Sequence, residues 1–170
     1  MKKYKVLFCD LDGTLIDTIS EETFPKGVWD MKLKFDVFDA IKKLEPYCIL
    51  IVTNQGGIEK GFVNRRNFEF KIEYIIRSIN EYIGVYAEYS YCTSNDKNYE
   101  YRKPNIGMLK SLLHRIQTNL FRAENIDKND CLMIGDASGL EGQFSDTDKK
   151  TAENFGIDYL DVNEFVKLYN

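Results

Sequence analysis

The sequence predicts an α/β protein built on one doubly wound, mainly parallel sheet. Four short runs of strand length stand out at residues 6–9, 48–52, 85–92 and 131–134. Three of them are unbroken apolar stretches, as expected of strands buried on both faces. Amphipathic helical patterns alternate with these runs, which is the order of βαβ units. Three runs end in polar residues (Asp10 with Asp12, Thr53, and Asp136), and open α/β sheets bind their ligands at the carboxyl ends of strands.

The first strand stops at two carboxylates separated by one residue, in Asp10-Leu11-Asp12-Gly13-Thr14. Buried carboxylates are costly unless they are paired, hydrogen-bonded or bound to a cation. An acidic pair can also end a strand in water with ordinary Asp-Gly turn chemistry, so later elements must decide. Residues 17–26, closing with Phe24-Pro25 ahead of Trp29-Asp30, read as a loop. Asp36 is placed to cap a helix over 37–44, with Val37, Ile41 and Leu44 on one face and Pro46 beyond its end.

The second strand runs into Thr53-Asn54-Gln55-Gly56-Gly57, whose hydroxyl, free amides and glycines suit a phosphoryl group. Residues 64–82 form a long amphipathic helix with Phe68, Ile72, Ile75, Ile76 and Ile79 as its stripe. After the tyrosine-rich third strand and a polar segment at 93–101, Pro104 suits the first turn of the next helix. That helix turns Ile106, Leu109, Leu112, Leu113 and Ile116 inward and leaves His114, the single histidine, on the surface. The fourth strand ends in Gly135-Asp136. A loop over 143–148 follows, then a helix over 149–155 capped by Ser145 or Thr147 and closed by Gly156. An edge strand at 157–160 and a helix at 161–169 complete one expected domain over residues 1–170, with no repeat or linker.

Composition excludes several classes. The chain is 44% hydrophobic and 29% charged, which is a globular rather than a disordered mixture. No apolar stretch reaches membrane-spanning length and the N-terminus lacks a signal-peptide core, so the expected location is cytoplasmic, with no membrane partner. A net charge of -4 argues against a general nucleic-acid coat protein, while leaving room for a local basic patch. Cys9, Cys48, Cys92 and Cys131 are widely spaced with no CxxC and read as small core residues, not a zinc site.

The strand ends thus deliver Asp10, Asp12, Thr53 and Asp136 to one edge, within reach of the Lys103 loop. Carboxylates from two strands make a hard oxygen site suited to Mg²⁺ and substrate phosphate. A lysine beside a hydroxyl and free amides neutralises phosphoryl oxygens. One aspartate can attack phosphorus while another protonates the departing alkoxide and then activates water.

The set formed by DLDGT at 10–14, Thr53, Lys103 and Gly135-Asp136 resembles the four motifs of the haloacid dehalogenase-like phosphohydrolases, in order. The intervals 17–36 and 54–103 leave no room for a separate lid, so no large cap domain is expected. The resemblance implies a Rossmann-like fold. It also implies Asp10 as nucleophile, Asp12 as general acid/base, and Thr53, Asn54 and Lys103 as phosphate-binding groups. Mg²⁺ would be held by Asp10, Asp136 and the backbone carbonyl of Asp12, with Asp148, and after it Asp146, as supporting groups behind these ligands.

Phe24-Pro25, Thr53 to Gly61, Phe70-Lys71, Arg102 to Met108, and Phe144 to Asp148 narrow the resemblance to the 3′-phosphatase domain of polynucleotide kinase/phosphatase. That implies a phosphorylated nucleic-acid end as partner and a role in nucleic-acid repair. The acidic 17–22 stretch and Leu109 depart from that family's pattern. No GxxxxGK[ST] occurs, so the likeness is to the phosphatase half alone. Lys60, Arg65, Arg66, Lys71, Lys97 and Arg102 are the expected strand contacts, with Phe62, Tyr99 and Tyr101 as stacking platforms. Two alternatives stand beside this reading. One is a sugar or histidinol-type phosphatase of the same superfamily, whose usual Cys/His zinc loop has no counterpart between Thr53 and Lys103. The other is a catalytically silent binding module. The sequence leaves the oligomeric state open.

Overall fold

Residues 6–9 become the middle strand of a five-stranded parallel sheet, because their side chains are apolar on both faces and each face has helices to cover it. The computed structural model describes residues 2–170, the side chain of Ala123 excepted. In chain order the elements begin with β1 (Val6–Cys9), the two-residue strands β2 (Ile16–Asp17) and β3 (Lys32–Leu33), α1 (Phe35–Leu44), β4 (Cys48–Asn54) and the single turn α2 (Gly56–Glu59). Next come α3 (Arg65–Tyr82), β5 (Tyr86–Cys92), α4 (Gly107–Arg115), β6 (Cys131–Gly135), α5 (Thr147–Phe155), β7 (Asp158–Asp161) and α6 (Val162–Tyr169).

The sheet order is β5-β4-β1-β6-β7. The chain moves outward from β1 through β4 to β5, then returns across β1 to build β6 and β7. That reversal makes the carboxyl end of β1 a topological switch point. Cys9 pairs with Ile51 on one side and Ile134 on the other, so Asp10 emerges between the ends of β4 and β6.

Alternation along β1 divides the core. Leu7 and Cys9 join Ile49, Ile51, Phe38, Ile72 and Phe165 under α1, α3 and α6. Val6 and Phe8 join Cys48, Leu50, Met133, Leu112 and Phe155 under α4 and α5. Phe8 meets Phe155 edge to face at 6.1 Å, and its full burial stabilises the fold by roughly 1.5–3 kcal/mol. All four cysteines are buried and unpaired, each on a sheet strand.

Two local expectations are corrected. The helix expected at Pro104 begins at Gly107, because residues 103–106 form a turn in which Asn105 N–H donates to Arg102 O at 2.8 Å and Gly107 N–H to Glu100 O at 2.9 Å. Asp36 does not cap α1, since the helix starts two residues earlier, at Phe35, with Lys34 at the cap and Asp36 in the first turn, where it complements the helix dipole. The loop after β1 is pinned by the antiparallel pair β2–β3, too short for a periodic signal. No separate cap domain is inserted: β1 and α1 are joined through β2 and β3, and only α2, α3 and β5 stand between β4 and Lys103.

Candidate active site

Where β1 runs out, Asp10 N–H still donates to Ile134 O at 3.1 Å, so the sheet holds the main chain that carries the carboxylate. The turn then wraps around Leu11 O, which accepts from Leu15 N–H at 2.9 Å and from Ile16 N–H at 3.2 Å. Gly13 sits at φ +80, a conformation that costs other residues about 1–2 kcal/mol. It is also glycine for want of space: a Cβ there would lie 2.1 Å from Asp136 Oδ2. Gly135 is similar, its Cβ falling 2.3 Å from Asp148 Oδ2. The two glycines leave the room that two carboxylates occupy.

Asp10, Asp136 and Asp148 converge, each offering one carboxylate oxygen within 4.8 Å of the others. A single buried ammonium answers them. Lys103 Nζ donates to Asp10 Oδ1 at 2.6 Å and to Asp148 Oδ1 at 2.7 Å. Burial alone would lower the Lys103 pKa, but the two carboxylates more than offset it and hold it above its ordinary value. Asp10 is pushed well up, first by desolvation, with Lys103 opposing and Asp148 and Asp136 reinforcing. Asp136 is pushed up to about 6, by desolvation and then by Asp148. Three carboxylates facing one ammonium is an excess of negative charge in a dry place, which a divalent cation relieves. The donor set is all oxygen, as Mg²⁺ prefers. Asp148 Oδ2 also accepts from Ala137 N–H at 3.2 Å, so this carboxylate orients both Lys103 and the loop carrying Asp136.

Asp12 stands outside that cluster and half exposed. Gln55 Nε2 donates to its Oδ2 at 2.8 Å and to Thr53 Oγ1 at 3.0 Å, tying the first turn to the end of β4. Lys71 approaches Asp12 Oδ1 to 3.8 Å from α3, with its side chain only 7% exposed. Thr53 is buried at the edge of β4. Asn54 uses its whole carboxamide on the Lys103 main chain, donating to its carbonyl and accepting its N–H, both at 3.0 Å. Its side chain therefore holds the lysine loop in place instead of facing a phosphate.

The expected roles divide here. Asp10, Lys103, Asp136 and Asp148 come together, and beside them Gln55 links Asp12 to Thr53. Asp146 does not join them: it is half-buried and paired with Lys150 at 2.7 Å, four residues along. Arg102 Nη1 donates to Ser94 O at 2.7 Å and ties its own loop. Lys60 and Arg66 are exposed, Arg66 lying over Phe70 at 5.5 Å, while Arg65 Nη1 donates to Tyr91 OH at 3.2 Å. Lys71 belongs beside Asp12, not on a strand-binding surface. Gln55 and Lys34, whose Nζ donates to Gly13 O at 3.1 Å, have no individual role in the sequence reading, and Lys71 is expected only as a strand contact. A lysine inside the apolar stripe of α3, one residue before Ile72, was the available signal for one of them.

A carboxylate at the end of β1, bridged by one buried lysine to a carboxylate of α5 and flanked by a third at the end of β6, stands at a switch point as in a haloacid dehalogenase-like phosphatase, and that is the class of this chain. The fold agrees with a D,D-heptose 1.7-bisphosphate phosphatase from B. bronchiseptica solved with magnesium and phosphate: the TM-score is 0.66 at 21% identity, covering 91% of this chain and 78% of that one. The family model described as polynucleotide kinase 3 phosphatase matches residues 5–166, and the chain belongs to that family. It is 34% identical to the bifunctional polynucleotide phosphatase/kinase of Schizosaccharomyces pombe over 96% of its own length, yet spans only 38% of that protein. It is also 30% identical to the D-glycero-beta-D-manno-heptose-1,7-bisphosphate 7-phosphatase of Haemophilus ducreyi, over 78% of this chain and 72% of that one. No helix among the described residues is long and apolar enough to cross a membrane.

Proposed function

We propose that this protein is a Mg²⁺-dependent phosphomonoesterase that removes the 3′-phosphate from polynucleotide ends through an aspartyl-phosphate on Asp10. The observation that carries the chemistry is the Asp10–Lys103–Asp148 bridge beside Asp136. Asp10 attacks the phosphorus, and the bond from phosphorus to the ester oxygen breaks. Asp12, held toward the site by Gln55 and Lys71, gives its proton to the departing alkoxide. It then takes a proton from a water whose oxygen attacks the same phosphorus, which releases inorganic phosphate and restores Asp10. Lys103 and the Thr53 hydroxyl neutralise and orient the phosphoryl oxygens. Asp10 and Asp136, with the Asp12 carbonyl, would hold Mg²⁺, and Asp148 braces them from behind. When bound, the cation supplies positive charge to the phosphoryl oxygens and allows Asp10 to remain ionised.

The substrate class rests on the family match and on the shape of the site. Without an inserted cap, its mouth stays open to the end of a large molecule. Phe24 and Phe144, from the β2–β3 connection and the loop after β6, lie exposed and edge to face at 6.4 Å, as surfaces on which bases stack. The identity to a heptose-bisphosphate phosphatase favours a second reading, a small sugar phosphate in the same site. Against it, the chain between Thr53 and Lys103 holds one cysteine, Cys92, and no histidine, so the zinc loop expected of such enzymes is lacking.

Phosphate release from a 3′-phosphorylated oligonucleotide, its 5′-phosphorylated isomer and a heptose bisphosphate decides among them. Preference for the 3′-phosphate supports the proposal. Preference for the sugar by orders of magnitude overturns it, and inactivity on all three in Mg²⁺ points to a silent binding module.

A further inference from the structure

Beside the phosphoryl site, a cleft of about 340 Å³ crosses the free edge of β5, within the usual size range of ligand pockets. Its lining includes Arg65, Tyr91, Thr93, Tyr99 and Tyr101. Three observations tie its walls to the elements that carry the catalytic residues. Thr53 pairs with Tyr91 and Asn54 with Cys92, so the cleft lies one strand over from the phosphate-binding threonine, a spacing of roughly 4.8 Å. The segment bearing Tyr99 and Tyr101 is tied to the lysine loop, with Arg102 N–H donating to Tyr99 O at 2.9 Å and Asn105 Nδ2 to Tyr99 O at 2.9 Å. Gln55 N–H donates to Cys92 O at 2.7 Å, which fixes the end of β5 to the turn that holds Asp12.

The walls are chemically matched to one kind of guest. Tyr99 and Tyr101 sit with ring centroids 5.8 Å apart, and Tyr99 is 46% exposed. Across the cleft, Tyr91 is fixed by Phe68 at 4.9 Å and by its hydroxyl donating to Glu69 at 2.6 Å. Arg65 lies over the Tyr91 ring at 5.9 Å as the cation of the cleft. Aromatic faces of fixed orientation with one arginine suit a flat base attached to a phosphodiester, since bases stack on aromatic rings and arginine answers the backbone charge.

The geometry points to this cleft as a nucleoside subsite, in which a base next to the phosphorylated 3′ end stacks on Tyr99 and Tyr101 while Arg65 contacts the adjoining phosphodiester. The inference rests on the polynucleotide reading above and gives it a second base-binding element, apart from Phe24 and Phe144. It does not depend on a particular base, because every base has a π-face.

The test compares three substrates at matched ionic strength: a 3′-phosphorylated oligonucleotide, the same oligonucleotide with its last two nucleotides abasic, and phenyl phosphate. For the wild type, kcat/KM is expected to favour the base-bearing over the abasic oligonucleotide by roughly tenfold or more. In the double variant Tyr99→Ala, Tyr101→Ala that preference should collapse toward one. The double variant Tyr99→Phe, Tyr101→Phe, which keeps the rings, should retain it. Phenyl phosphate reports the integrity of the lysine loop in each protein, so rates are compared as ratios to it. If the alanine variant keeps the wild-type preference for bases, the subsite is wrong even though oligonucleotides are substrates. If the wild type hydrolyses neither oligonucleotide better than phenyl phosphate, the polynucleotide reading falls and the subsite falls with it.

Discussion

Replacing Asp136 by asparagine tests the electrostatics of the cluster without any substrate. Burial and Asp148 push the Asp136 carboxyl from 3.8 up to about 6 in the metal-free protein. Between those values the folded state holds more protons than the unfolded chain, so stability must fall as pH rises through this window. A shift of roughly two units corresponds to about 3 kcal/mol lost by pH 7. In a domain of this size, that is a lowering of Tm by roughly 6–12 °C. Asp136→Asn carries no such charge, so in EDTA its Tm should climb relative to wild type by about that amount between pH 4 and pH 7. Carboxyls held low elsewhere, such as Asp30 with Ser20 and Asp158 with Lys2, titrate in both proteins and cancel from the difference. Asp10 is also pushed up and acts in the same sense, and the part of its shift that Asp136 causes adds to the difference. Melting both proteins across the pH range, with and without Mg²⁺, reads the effect directly. Saturating Mg²⁺ at one hundred times its Kd should return about 2.7 kcal/mol to the wild type and little to the variant. Parallel Tm curves in EDTA, or a wild type that gains on the variant as pH rises, would refute the reasoning.

Other substitutions separate positioning from binding. Lys71→Met should lower kcat on phenyl phosphate and oligonucleotide alike, by roughly tenfold or more, since the lysine acts through Asp12. An effect on KM for the oligonucleotide alone would return Lys71 to a strand-contact role. Gly13→Ala should weaken Mg²⁺ binding, measured by calorimetry, because its Cβ displaces the Asp136 carboxylate and adds about 1–2 kcal/mol of backbone strain. Undiminished affinity would contradict the cradle. Lys60→Gln and Arg66→Gln should each flatten the salt dependence of oligonucleotide binding by up to about 0.7–0.9 units of slope. Arg102→Gln should slow the small ester as well, because Arg102 holds Ser94 and its own loop; a salt effect without a rate effect on phenyl phosphate would make it a strand contact instead.

Much of the sheet could be read from the chain because its strands are buried on both faces. Residues 6–9 and 131–134 have no polar side chain to confuse a strand with anything else, and the carboxylates at their ends stand out for that reason. The start of α4 was harder to read: Pro104 is a sound helix opener, but the hydrogen bonds from Asn54 to Lys103 and from Gly107 to Glu100 impose a turn that no local pattern encodes. The same limit governs the site. Asp10, Asp12, Thr53, Lys103 and Asp136 follow a motif, whereas the roles of Asn54, Gln55 and Lys71 depend on which neighbour each side chain meets across the fold. Asp146 and Asp148 are alike in sequence and differ in placement: Asp146, at the cap of α5, pairs with Lys150, while Asp148, in its first turn, faces Lys103 in the core.

The central claim is that Asp10 carries the phosphoryl group during turnover. Rapid acid quench of the Mg²⁺-loaded enzyme with a labelled 3′-phosphorylated oligonucleotide, followed by peptide mapping, tests it most directly. Phosphate is expected on Asp10 within the first turnover and none in Asp10→Asn, which should be folded and inactive. Label on another residue, or turnover by Asp10→Asn, would contradict it.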